Sequence, residues 1–192
     1  SSVKLELRVK TEEIESRLTE LIVEGDVVRA GDSDGKSIYY LPALYYAEGQ
    51  VASKLLNIQA EASEIKHTYV ERYIEEFEST RGIWLAEKQK EAVAESIKSG
   101  VFVLTAGPGT GKTTIINAII GIFESVGKEI LLAAPTGRAA KRMTEATQRE
   151  SKTIHRLLEF QGENQFQKNS DDPLKADVII IDEISMVDIL LM

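Results

Sequence analysis

The chain has 192 residues, the scale of one full domain with a small extra piece or of part of something larger, which excludes a short peptide and a many-domain array. Hydrophobic residues at 43% and charged residues at 28%, with 13 glycines and 4 prolines, suit a buried core; no cysteine means no disulfide or thiolate metal site, and no apolar run approaches the roughly 20 residues that span a bilayer. The formal net charge of −8 speaks, taken whole, against a nucleic-acid partner, because attraction to phosphate needs clustered lysine and arginine.

A helix is predicted over residues 11–24, with Ile14, Leu18, Leu21 and Ile22 on one stripe and Glu12 and Glu13 in the first turn. Two short strands follow, at 27–29 and 37–41, around the turn-rich Asp32-Ser33-Asp34-Gly35. A helix before a β-hairpin is the back half of a winged-helix unit, a pattern shared by many small domains. Residues 43–78 read as helical, with Leu44, Val51, Leu55 and Ile58 on one stripe and Tyr69, Tyr73, Ile74 and Phe77 on another. The break at 79–82 separates this stretch from a helix over 86–97 that carries Gln89 and Val93, and divides the chain into a mostly helical segment 1–80 and a domain 81–192.

After Gly100 short apolar runs alternate with helical stretches: strands at 101–105, 129–133 and 177–181, helices at 112–125, 138–147 and 153–160, and a patternless loop at 161–172. That alternation predicts an α/β fold with a parallel sheet. The charge is also uneven. Residues 1–100 hold 13 basic and 19 acidic side chains, against 10 and 12 in residues 101–192. Within the second half Arg138, Lys141, Arg142, Arg149, Lys152 and Arg156 face only Glu145 and Glu150, a local excess of +4.

Between the first strand and helix of the sheet lies Ala106-Gly107-Pro108-Gly109-Thr110-Gly111-Lys112-Thr113, a phosphate loop with alanine at its first position. Gly107, Gly109 and Gly111 let successive backbone N–H groups turn toward phosphate oxygens, and the following helix points its positive end the same way. Lys112 would reach the β and γ phosphates, Thr113 would bind Mg²⁺, and Thr114 joins the nucleotide-binding residues. Val178-Ile179-Ile180-Ile181-Asp182-Glu183 supplies the other half of an ATPase site: Asp182 for Mg²⁺, Glu183 to orient and deprotonate the attacking water.

Residues 105–114, Ala133-Ala134-Pro135-Thr136-Gly137-Arg138-Ala139-Ala140, Thr153-Ile154-His155-Arg156-Leu157-Leu158 and Ile181-Asp182-Glu183-Ile184-Ser185-Met186-Val187-Asp188 resemble, in order, successive helicase motifs of RecD-type superfamily 1 DNA helicases. The resemblance implies a RecA-like ATPase domain and 5′-to-3′ movement on single-stranded DNA with ATP and Mg²⁺. It also implies protein partners in DNA repair or recombination, and a cytoplasmic protein with no membrane association. It makes Gln89 the adenine-reading glutamine, sets Pro135, Thr136, Gly137 and Arg138 against the DNA backbone, and brings His155 and Arg156 to the DNA track; His67 matches nothing. A further motif, the arginine fingers and a second RecA-like domain are expected beyond Met192, so the chain is expected to hydrolyse ATP feebly and to unwind nothing alone. The resemblance also implies a missing central strand, with the phosphate-loop strand and the Asp182 strand not hydrogen-bonded to each other. A phosphate-loop ATPase acting on RNA, and a docking role for the N-terminal segment, are the alternative readings.

Overall fold

The computed structural model describes residues 11–31, 37–61, 65–107, 109–162 and 165–192. The expected turn at Asp32-Ser33-Asp34-Gly35 and the loop residue Pro108 lie outside them. Two compact units emerge, one within residues 1–54 with 188–192 and the other over 55–187.

In the first unit helix α1 (Thr11–Glu24) ends at Gly25, whose φ of +81° reverses the chain. Strands β1 (Val28–Gly31) and β2 (Ser37–Tyr40) then pair antiparallel, Val28 opposite Tyr40 and Gly31 opposite Ser37, as the predicted hairpin requires. Helix α2 (Pro42–Gln59) differs from expectation: it stops at Gln59 instead of running on, and the stripe of Leu44, Val51, Leu55 and Ile58 is nowhere fully buried. Helical periodicity reports an amphipathic face, but not whether anything covers it.

The second unit is built on α5 (Lys112–Ser125), whose apolar residues serve two cores. Ile115, Ala118, Ile119 and Ile122 pack with Val70, Ile74 and Phe77 of α3 (His67–Arg81) and with Val93 and Ile97 of α4 (Glu87–Lys98). Ile120 meets Leu132 of β3 (Ile130–Ala134) and Met143 of α6 (Gly137–Thr147). Tyr69 and Tyr73, read with the core aromatics, stay half-buried; the Tyr69 hydroxyl donates to Ser125 Oγ at 2.9 Å. The buried Glu78 ties α3 to the approach to α4, accepting from the Leu85 amide at 2.6 Å and from Lys90 Nζ at 3.1 Å.

The sheet is parallel throughout, in the order β4 (Ser151–Thr153), β3, β5 (Val178–Ile181). Leu132 lies opposite Ser151 on one side and Ile180 on the other. Two expectations need correction. The helix predicted over 153–160 is only the single turn α7 (Ile154–Leu157), preceded by β4, whose Ser-Lys-Thr sequence is too short and too polar for an apolar pattern to reveal. The expected strand at 101–105 has no ladder partner among the described residues, and Val103 is 69% exposed. An apolar run becomes a strand only where a neighbour takes up its backbone groups. Among the described residues no ladder joins this segment to β5. Phe166, in the stretch predicted as a patternless loop, forms an antiparallel bridge with Phe160, the last residue of the predicted helix. No helix among the described residues is long and apolar enough to cross a membrane.

Asp177 fixes where β5 begins beside β3. Its Oδ2 accepts from the Glu129 amide at 2.8 Å and its Oδ1 from Lys128 Nζ at 3.0 Å, so these partners hold the carboxyl below the usual carboxylate range. A depressed folded pKa stabilises above the unfolded value and is lost as pH falls through the folded one. Asp177→Asn is therefore expected to lower the melting temperature near neutral pH, the difference from wild type closing as acid protonates Asp177. A constant difference down to strongly acidic pH would show that the charge is irrelevant.

Candidate functional site

The loop from Ala106 to Gly111 enters α5 through two left-handed glycines, Gly109 at φ +74° and Gly111 at φ +84°. A side chain at 111 would meet more than backbone strain, since a Cβ there would stand 2.5 Å from Gln89 Nε2. The Thr110 hydroxyl donates to the Gly107 carbonyl at 2.7 Å and tightens the turn. Among the described residues no side chain caps the N-terminus of α5, so its first amides stay available to an anion. Thr113 is exposed and Thr114 half-buried in its first turn.

Lys112 reaches across the site to Asp182 at the end of β5, Nζ to Oδ1 at 2.6 Å, an ion pair between residues far apart in the chain. The lysine is thus neutralised by the carboxylate predicted to hold the metal. Glu183, next in sequence, sits in the left-handed region at φ +55°, ψ +39°, and its amide donates to Asp182 Oδ1 at 2.9 Å. A non-glycine residue there costs about 1–2 kcal/mol, an expense that concentrates at functional positions.

Gln89 spends both ends of its amide on backbone. Its Oε1 accepts from the Ala86 amide at 2.8 Å, completing the first turn of α4, and its Nε2 donates to the Thr110 carbonyl at 2.9 Å. The predicted adenine reader is therefore also a strut between α4 and the phosphate loop, a role the sequence does not signal.

Pro135, Thr136, Gly137 and Arg138 follow β3 and open α6, where Thr136 Oγ1 caps the helix by accepting from the Ala139 amide at 3.2 Å. His155 and Arg156 lie on α7, both exposed. The His155 ring meets Phe160 edge-on, centroids 5.3 Å apart, and Phe166 at 6.0 Å, so it packs on the edge of an aromatic cluster. His67 stands 3.3 Å from Glu71 on α3 and joins no part of the site.

The basic run is less free than its composition suggests. Lys141 pairs with Glu145 and Lys152 with Glu150, but Arg149 is taken by Glu124 of α5 through two hydrogen bonds, and Arg142 stands 3.8 Å from Glu183. Arg149 holds Glu124 below the usual carboxylate range. Arg138 and Arg156 alone of the six have no acidic partner among the described residues. The sequence could not reveal this, because Glu124 and Glu183 lie outside the run and only folding brings them to it.

The residues fit a nucleotide and a magnesium ion arriving together. The glycine turn, the uncapped amides and Lys112 suit phosphate; Thr113 and Asp182 are the hard oxygen donors that magnesium takes when phosphates and water fill its remaining positions. Among the described residues no group of three or more histidine or carboxylate side chains could hold a metal by itself.

The family described as AAA domain matches residues 89–192. The ATP-dependent RecD2 DNA helicase of Deinococcus radiodurans is 43% identical over 103 residues, covering 54% of this chain and 14% of that protein. The RecBCD enzyme subunit RecD of Haemophilus influenzae is 33% identical over 151 residues, covering 66% and 23%, and that of Mycobacterium tuberculosis 36% identical over 129 residues, covering 55% and 22%. The chain thus spans less than a quarter of the length of these curated relatives.

Proposed function

We propose that this chain, which belongs to the AAA domain family and within it to the RecD-like helicases, carries the ATP-binding half of a motor that steps 5′ to 3′ along single-stranded DNA. The observation that carries the reading is the contact of Lys112 with Asp182, which joins the phosphate loop to the carboxylate end of β5.

When bound, magnesium would offset the negative charge on the phosphates. In the proposed cycle Lys112 leaves Asp182 for the phosphate oxygens, and Thr113 and Asp182 become available to the metal. The loop amides and the start of α5 hold the phosphates, with Pro108 among the loop residues that bind the nucleotide. Glu183 orients the attacking water and accepts its proton. Pro135, Thr136, Gly137, Arg138, His155 and Arg156 carry the strand, with Arg138 and Arg156 as the cations left for phosphates. That two of these relatives are named as a subunit of the RecBCD enzyme supports protein partners, proposed to act in DNA repair or recombination.

The test is ATP turnover by the intact protein without nucleic acid, with single-stranded DNA and with single-stranded RNA. DNA is expected to accelerate it most; equal rates in all three would refute the translocase reading, and a larger effect of RNA would redirect it. Duplexes with a 5′ or a 3′ single-stranded tail would report the direction.

Gln89 supplies a narrower prediction. A glutamine amide matches the donor and acceptor pair on adenine, and losing one hydrogen bond of about 1 kcal/mol changes a ratio roughly five-fold. Gln89→Ala is expected to shrink the preference for ATP over GTP by about that factor and to raise the KM for both nucleotides, because the Thr110 strut is lost too. An unchanged ATP-to-GTP ratio would leave Gln89 with the strut alone.

A further inference from the structure

We propose that Arg142 is a positioning residue that restrains Glu183 until a phosphate chain on the α6 surface draws its guanidinium away. The inference rests on the reading of Glu183 as the group that activates water.

Arg142 and Glu183 are the one ion pair that links the basic run to the ATPase site among the described residues. Arg142 Nη1 lies 3.8 Å from Glu183 Oε1, near enough to attract but too far for a hydrogen bond. The arginine is 62% exposed and the glutamate 34%, so the contact is open to a competitor. Arg138 lies four residues earlier on α6, hence on the same helix face, and has no acidic partner among the described residues. A nucleic-acid backbone engaging Arg138 places its next phosphates where Arg142 can turn to them. A phosphate accepts two parallel hydrogen bonds from a guanidinium, whereas Glu183 offers a contact without one.

The backbone of Glu183 contributes to the device. Held at φ +55° between Asp182, which follows β5, and the turn at Ile184–Met186, it fixes where the side chain starts. Only the carboxylate end is left to choose between Arg142 and a water. While Arg142 holds it, Glu183 faces a cation instead of a reactant. Once the arginine is drawn to phosphate, the carboxylate is released without any rearrangement of the sheet. Occupancy of the DNA track is thereby coupled to hydrolysis by a single side chain.

Exposed ion pairs are weak, which sets the expected size: removing one shifts an equilibrium by about two- to five-fold. The experiment uses the intact protein with Arg142→Gln and Arg142→Lys, and measures kcat and KM for ATP with no nucleic acid and with saturating oligothymidylate. Arg142→Gln is expected to raise DNA-free kcat by about two- to five-fold, with the KM for ATP unmoved, and to cut the stimulation by DNA by a similar factor. Arg142→Lys, which keeps the charge, should fall between the two. A DNA-free kcat for Arg142→Gln at or below wild type would overturn the proposal, since it would make the contact productive or idle. If wild-type turnover ignores DNA, it is the translocase reading that fails, and the DNA-free comparison still decides the role of Arg142.

Discussion

Replacing Lys112 by alanine is expected to lower ATP turnover of the intact protein by about 10²- to 10³-fold, the usual cost of removing one preorganised donor from developing negative charge. The lysine opens α5 at the end of the loop, and its ion pair with Asp182 keeps it aimed at the site. Stability should hardly move. The pair is partly exposed, Lys112 at 39%, and such pairs contribute about 0–1 kcal/mol. Alanine is also the better helix former at the first residue of α5. The melting temperature should therefore stay within about 2–4 °C of wild type, while nucleotide affinity and turnover fall together. Retained turnover would remove the phosphate-loop assignment; lost turnover with a collapsed melting curve would mean that Lys112 matters to the fold instead.

How far these residues could be read in advance depended on whether the signal was local. The phosphate loop announces itself through glycines that a left-handed turn demands at 109 and 111, and through the lysine at the start of the next helix. Asp182 is legible from its place at the end of an apolar strand. The segment at 101–105 has the same apolar texture as β5 and yet forms no ladder among the described residues, because strand formation depends on a neighbour that composition cannot supply. β4 is the reverse case, a polar tripeptide made a strand by the edge of β3. The electrostatics were the least legible. A charge count finds the basic run, but Arg149 with Glu124 and Arg142 with Glu183 are pairings across separate elements, so only the fold reveals that Arg138 and Arg156 remain.

Glu183 separates chemistry from binding, and two substitutions there should divide them cleanly. Glu183→Gln keeps the size of the side chain and removes its capacity to take a proton. A positioned general base contributes about 10²- to 10⁴-fold, so turnover should fall by that factor while ATP affinity stays near wild type, because Lys112, the loop amides and Gln89 are untouched. Loss of affinity in step with turnover would show that Glu183 supports the loop instead of activating water. Glu183→Gly adds a second axis. The residue stands at φ +55°, where glycine is free of the roughly 1–2 kcal/mol that a side chain costs; relief of that strain offsets the greater freedom glycine gains in the unfolded chain. The glycine variant is expected to melt at or above the wild-type temperature and to be as inactive as the glutamine variant. A protein that gains stability on losing this carboxylate holds the strained conformation for the carboxylate's sake. If the glycine variant melts well below wild type, Glu183 is a structural residue, and its place beside Asp182 carries no chemistry.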